Sequence, residues 1–297
     1  MKAMSRRGEF DLIKRIKQGT KNDARVVLGI GDDTAVLCAP GNKEILFTTD
    51  MLIEDRHFRV KEATPYEIGR KALAVNLSDI AAMAGVPTHA VVAVGLPKKY
   101  TGRFLKDLNR GIQGLARQFH VNVVGGDTNR SEKVLLSVAL LGEVEKGKAL
   151  TRSGARVGDA VCVTGPLGGS YASKKHLNFI PRIEEARYLA RHFHIHAMMD
   201  ISDGLASDAR RLCEASGVGI RLEEKAIPVS RHAKHVREAL NEGEDFELLF
   251  TLSQKEVVRL PKHCSVIGSV TRESHGLKLL KQNGAVITLR GGFDHFQ

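Results

Sequence analysis

The chain has 297 residues, 42% hydrophobic and 27% charged. That is enough apolar material to exclude disorder as the dominant state, and enough length for two domains of ordinary size. No run reaches the ~18–20 apolar residues that a bilayer crossing needs; the best candidate, Val134 to Val144, is interrupted by Ser137, Gly142 and Glu143. The N-terminal MKAMSRRGEF has charge but no apolar stretch after it, so a soluble, cytoplasmic protein without a secretory signal is expected.

An excess of 45 basic over 34 acidic residues gives a net charge of +11. Such a balance suits nucleic acid or anionic small molecules. Aromatic residues are only 5%, with no tryptophan, which is poor material for stacking on bases. The basic residues are densest from Lys2 to Arg25 and at Arg231, Lys234 and Arg237, whose three-residue spacing predicts one solvated helix face. Cys38, Cys162, Cys213 and Cys264 lie far apart with no C-x-x-C pair, so they read as free thiols acting as small buried hydrophobes in a reducing compartment.

Taken in chain order, EILFTT (44–49) reads as a strand, as does His89 to Leu96, which Pro97 closes. Between them Pro65 to Gly85 reads as a helix. Thr64 suits the N-cap and Pro65 the first turn, Ile68, Ala72, Val75 and Ile80 form a stripe, and Gly85 and Pro87 end it. A second helix spans about Gly102 to Phe119, followed by a short strand Val121 to Val124 and a tight turn at GGD (125–127). Val134 to Val144 is a further strand. After a break near residues 145–156 the pattern restarts: a strand Asp159 to Thr164, a Gly-rich turn GPLGGS (165–170), a helix Ile183 to Phe193, and a helix Gly204 to Ser216 capped by Gly217. Strand-like pieces follow at Gly219 to Leu222, Glu247 to Leu252, Ser265 to Val270 and Ala285 to Leu289. Mixed strands and helices on both sides of the break suggest two α/β domains.

Aspartates stand where strands or turns end: Asp32 and Asp33 in LGIGDDTAV, Asp50 after ILFTT, Asp127 in VVGGDTNRS, and Asp200 and Asp203 around Ser202. A carboxylate there is exposed at the rim of a sheet, where ligands dock. Asp79 differs, because it falls inside an apolar helix beside Asn76 and Ser78, where a charge is costly unless a cation pairs with it. Acidic groups converging without accompanying histidines or cysteines are hard oxygen ligands, suited to Mg²⁺ shared with substrate phosphates. His192, His194 and His196 form H-x-H-x-H, but the change from helix to strand there need not put them on one face. A P-loop, the protein-kinase motifs and G-x-S-x-G are all missing, and Gly29-Ile30-Gly31 lacks the third glycine of a dinucleotide fingerprint.

Eight segments in order resemble the thiamine-monophosphate kinase family of the AIR-synthase-like ATP-binding superfamily: GIGDDTAVL (29–37), TTDMLIEDRHF (48–58), KALAVNLSDIAAMAG (71–85), VVGGDTNRS (123–131), ALTRSGARVGDAVCVTG (149–165), DISDGLASD (200–208), EGEDFELLF (242–250) and GGFDHF (291–296). The resemblance runs from Glu9 to Phe296. It implies a two-domain AIR-synthase-like fold of α/β (α+β) class: an N-terminal α/β domain (1–147) whose sheet joins another across a homodimer, and a C-terminal α+β domain (148–297). It also implies transfer of phosphate from ATP to thiamine monophosphate with several Mg²⁺ ions. Carried over motif by motif, Asp33, Thr48, Thr49, Asp50, Asp79, Asp127, Asp200 and Asp203 resemble metal-site positions, with Asp50, Asp127 and Asp203 nearest the chemistry. Gly126, Asp127, Arg152 and Ser202 resemble ATP contacts, and His57, Glu244 and Phe293 resemble thiamine-phosphate contacts. Two departures stand out: a shorter segment between Gly165 and Asp200, and Phe293 where the family often has tyrosine, which keeps an aromatic face but loses a hydroxyl.

The chemistry fits an acidic site. An acceptor phosphate with a second pKa near ~6 is already deprotonated at neutral pH, so direct in-line transfer needs no general base. The obstacle is anion repulsion, about 4 kcal/mol per pair of unit charges ~4 Å apart at an effective dielectric of ~20, which bound cations offset. Two other readings remain. One is a related superfamily member that activates a carbonyl or selenide, against which stands the lack of a cysteine before Gly29. The other is a basic nucleic-acid-binding module, which would show steep salt dependence and indifference to aspartate substitution.

Overall fold

The computed structural model describes residues 9–289. A first sheet of six strands has the order β1-β2-β3-β6-β4-β5, formed by β1 (Val26–Leu28), β2 (Ala35–Cys38), β3 (Lys43–Ile53), β4 (Val86–Leu96), β5 (Asn122–Arg130) and β6 (Leu135–Glu145). All neighbours are antiparallel except β4 and β5, the pair joined through a helix. A second sheet has the order β13-β12-β9-β11-β7-β10-β8. Its strands are β7 (Ala160–Val163), β8 (Ile195–Asp200), β9 (Val218–Glu223), β10 (Leu248–Leu252), β11 (Ser265–Arg272), β12 (Leu277–Leu280) and β13 (Val286–Thr288). The helices are α1 (Glu9–Gly19), α2 (Pro65–Ala82), α3 (Arg103–Gln118), α4 (Lys175–Asn178), α5 (Ile183–His192), α6 (Leu205–Ser216) and α7 (Val236–Asn241). Among the described residues no helix is long and apolar enough to cross a membrane.

Burial follows the strand period. In β3, Glu44, Leu46, Thr48 and Leu52 are buried while Phe47, Thr49 and Met51 face outward. In β8 and β10 both faces are covered: Met198 and Phe250 join the core between the two sheets, and Met199 and Leu249 join the core under α6. Neither strand therefore shows a simple alternation of buried and exposed residues. Helix α2 runs through the inter-sheet core, against β3 and β6 on one side and β8, α4 and α5 on the other.

The start of α2 is built as the sequence predicts. The Thr64 hydroxyl accepts from the Glu67 N–H at 3.2 Å, the Glu67 carboxylate accepts from the Thr64 N–H at 2.8 Å, and Pro65 occupies the first turn. Four expectations need correction. GGD at 125–127 is not a turn but the middle of β5, because its backbone pairs with β4 through Asp127 opposite Ala93. Asp33 and Asp200 are buried between the two sheets rather than exposed at a rim, and α6 starts after Gly204, whose φ of 97° a side chain would strain. Arg231 and Lys234 precede α7 and do not share a helix face with Arg237. Cys162 and Cys213 are buried as expected, but Cys38 is exposed at the end of β2.

Candidate active site

A cleft of about 1160 Å³ opens between the two sheets. Its floor is acidic, and each carboxylate arrives from a different element. Asp33 follows the turn after β1, Asp50 points inward from β3, Asp79 projects from α2, and Asp200 ends β8. Oxygens of Asp33, Asp79 and Asp200 lie within 4.8 Å of one another. The Thr48 hydroxyl donates to Asp79 at 2.5 Å, and the Ser78 hydroxyl donates to Asp200 at 2.6 Å. The Asn76 side-chain oxygen accepts from the Asp50 N–H at 3.1 Å, tying β3 to the helix.

Crowding like charges away from water has the expected effect on protonation. Burial pushes the Asp50 carboxyl up to about 6, although a hydrogen bond with Asp79 opposes the shift. Burial, and then Asp50, Asp200 and Asp33, hold Asp79 well above the usual carboxylate range. Asp200 is raised to about 7 by burial and by the charge of Asp33. Such a cluster is stable in ionised form only with cations between its members. Asp33 Oδ2 is buried with no hydrogen-bond donor, an oxygen left for a ligand that is not a protein group. Four carboxylates with hydroxyl support and an orphaned oxygen suit a hard divalent ion.

Around this floor the other expected residues separate into groups. Arg152 joins the halves: its guanidinium pairs with Asp33, and its N–H donates to Asp32 at 3.2 Å. Asp203 pairs with Arg211, Ser202 lines the cleft beside it, and the Asp203 N–H donates to buried Asp208 at 3.1 Å. His57 and Glu244 also line the cleft and are joined by Lys71, whose ammonium pairs with Glu244 and donates to the His57 carbonyl at 2.7 Å.

Three positions are not brought to the cluster. Thr49 is among the residues lining the cleft, but its hydroxyl donates to the Val138 carbonyl at 3.0 Å. Gly126 and Asp127 lie on edge strand β5, three strands from Asp50, roughly 14 Å at usual strand spacing. Phe293 lies outside the described residues. Of the histidine triplet, His194 and His196 meet edge to face with ring centroids 5.0 Å apart, while His192 turns elsewhere. The His192 ring contacts Tyr188, and His196 bonds Asp159 at 2.7 Å.

Sequence reasoning missed Lys71, Asp208 and Arg211. For Lys71 a signal existed: it is a charge in the same apolar helix as Asp79, two turns earlier, and it needs a partner for the same reason.

Residues 31–144 match the family described as AIR synthase related protein, N-terminal domain, and residues 156–278 match AIR synthase related protein, C-terminal domain. The thiamine-monophosphate kinase of Bacillus subtilis (strain 168) is 35% identical, over 97% of this chain and 99% of its own. That of Escherichia coli (strain K12) is 33% identical, over 97% and 98%. Among solved structures, AaThiL complexed with AMPPCP and TMP superposes with a TM-score of 0.86 at 32% identity, covering 97% of each chain. Thiamine monophosphate kinase from Aquifex aeolicus gives 0.77 at 30% identity, covering 94% of this chain and 97% of that one. Acidic residues from two sheets meeting in one cleft, in a chain that matches these relatives almost end to end, make it a member of the thiamine-monophosphate kinase family within the AIR synthase related proteins.

Proposed function

We propose that this protein transfers the γ-phosphoryl group of ATP to the phosphate of thiamine monophosphate, giving thiamine diphosphate, by direct in-line displacement. The observation that carries this reading is the convergence of Asp33, Asp79 and Asp200, from both halves of the chain, on one small volume at the floor of a large cleft. Asp33, Asp50, Asp79 and Asp200 would hold several Mg²⁺ ions, with Asp203 at the rim. Bound magnesium would supply positive charge between two polyanionic substrates.

The protein's own groups have definite work. Arg152 presents a planar guanidinium that can exchange Asp33 for phosphate oxygens. Ser202, next to Asp203, lies where it can donate to the nucleotide. His57 and Glu244, which line the same cleft, would meet the organic part of the acceptor. No side chain needs to remove a proton, because the acceptor phosphate is already ionised at neutral pH. Phosphoryl transfer from ATP to thiamine monophosphate, followed with and without Mg²⁺, tests the assignment. Asp50→Asn should lower the rate by orders of magnitude while far-ultraviolet circular dichroism stays native; wild-type rates in that variant would remove the acidic cluster from the mechanism.

The chain is also read as two domains, 1–147 and 148–297, that act as a homodimer in the reducing cytoplasm, a setting consistent with four free cysteines. Support for the dimer comes from the first sheet. Phe47, Met51 and Val91 are 44%, 56% and 43% exposed on the face away from α2, and edge strand β5 leaves Val124 62% exposed. An uncovered apolar face ending in an unpaired edge favours pairing with a second copy. Such pairing offers Asp127 and Gly126 a route to an acidic floor that they do not reach within one chain. Sedimentation of the full chain should give twice the monomer mass, and a monomer at micromolar concentration would refute the pairing.

A further inference from the structure

Lys71 is 0% exposed, in the middle of α2. A buried ammonium is costly unless its donors are taken up, and here two acceptors come from opposite halves of the chain. One is the main-chain carbonyl of His57, in the loop after β3; the other is the carboxylate of Glu244, in the loop before β10. Those are the two residues assigned above to the organic end of the acceptor.

Each is also held from a second direction. The His57 ring accepts the Ile53 N–H on Nδ1 at 3.0 Å, which makes Nε2 the protonated nitrogen of the neutral ring. Glu244 sits at φ of 58°, between Gly243 at 73° and an equally left-handed Phe246 at 50°. Its N–H donates to the Ser202 carbonyl at 2.6 Å, and the Phe246 N–H donates to the Ile201 carbonyl at 2.8 Å. Between them Asp245 turns inward and accepts from the Gly168 N–H and the Ser170 hydroxyl at 2.9 Å. A loop in this uncommon conformation needs contacts to keep it there, and the Lys71 ammonium is one of them.

The helix also sets a distance. Lys71, Val75 and Asp79 are spaced four apart on one face, so Lys71 and Asp79 lie about 12 Å apart along the axis at 1.5 Å per residue. With the phosphates at Asp79, that separation is in keeping with an acceptor whose phosphate and rings are joined by a short chain.

We infer that Lys71 is a positioning residue for the thiamine end of the acceptor, fixing His57 and Glu244 together and keeping the Glu244 carboxylate aimed at a cationic ring. This rests on the reading of the acceptor as thiamine monophosphate. If the wild-type protein does not phosphorylate thiamine monophosphate, that reading fails, whatever Lys71 does.

Given wild-type activity, Lys71→Met should raise the KM for thiamine monophosphate about tenfold or more, with the KM for ATP changed less than about twofold. An equal rise in both, or no rise in the first, overturns the inference. Lys71→Met removes a counter-charge from beside Glu244 and could fail to fold, so the Lys71→Met/Glu244→Gln double variant, which removes both charges together, carries the test in that case. Its KM for thiamine monophosphate should match that of Glu244→Gln alone, because the two side chains act as one unit; losses that multiply would show that Lys71 acts elsewhere.

Discussion

Helices α2 and α3 pack side by side on the same sheet, yet they are opposite kinds of object. Of the sixteen residues of α3 only Leu108, Gly111, Ile112, Leu115 and Ala116 are buried, and Arg103, Lys106, Arg110 and Arg117 face water. In α2 thirteen of eighteen are buried, including Lys71, Asn76 and Ser78, because a second layer of structure covers its outer side. A charge on α3 is solvated and carries no message. A polar group on α2 must find a protein partner or a ligand, and its partners trace the site: Glu244 for Lys71, the Asp50 N–H for Asn76, Asp200 for Ser78, Thr48 for Asp79. The lesson is that a helix with no water-facing side reports function through its polar residues, whereas an amphipathic helix reports only its orientation.

The largest effect that would break this contrast is at Asp79. Burial and neighbouring carboxylates raise the pKa values of Asp50, Asp79 and Asp200 above those of the unfolded chain. The native state therefore binds more protons than the unfolded state between about pH 4 and about pH 7, so metal-free stability falls as pH rises through that window. Asp79→Asn removes one of the repelling charges. It should flatten this fall, raise the metal-free melting temperature near pH 8, and still cost about 10²-fold or more in turnover. Thermal melts in chelator across pH, set beside steady-state rates, check both halves. A variant less stable than wild type at pH 8 would mean that Asp79 is held by structural partners rather than poised for a cation.

Much of this was legible before any coordinates. The caps of α2 and the alternation in β3 follow from local chemistry, whereas Asp33 and Asp200, expected exposed at a sheet rim, are buried. What stayed hidden is what depends on pairing over long separations. The partner of Lys71 lies 173 residues further along the chain, so the apolar helix marks the lysine as needing a partner but does not say which. Gly125 and Gly126 look like a turn until β4 supplies a parallel neighbour for them. Asp127 is correctly read as exposed, but its distance from Asp50 is set by strand order, which puts β6 and β4 between them.

The same contrast can be sharpened at two adjacent residues of α3, one on each side of its boundary with α2. A Cβ on Gly111 would lie 2.0 Å from the Tyr66 carbonyl oxygen, and one on Gly69 would lie 2.0 Å from the Leu108 carbonyl oxygen. Backbone therefore meets backbone where the helices cross, and neither can yield without the other moving. Gly111→Ala should cost about 1–3 kcal/mol by overpacking, even though alanine favours the helical backbone by nearly 1 kcal/mol over glycine. Because α2 also carries Asp79 and Lys71, its displacement should reach the site, and turnover should fall along with stability. Arg110, the residue before, pairs with Asp107 on the outer face with its side chain 66% exposed. Arg110→Ala should change stability by less than about 1 kcal/mol and leave kcat and both KM values alone. Urea unfolding and steady-state kinetics on the two variants measure the contrast directly. Equal effects from Gly111→Ala and Arg110→Ala would mean that the inner and outer faces of α3 do not differ as the packing requires.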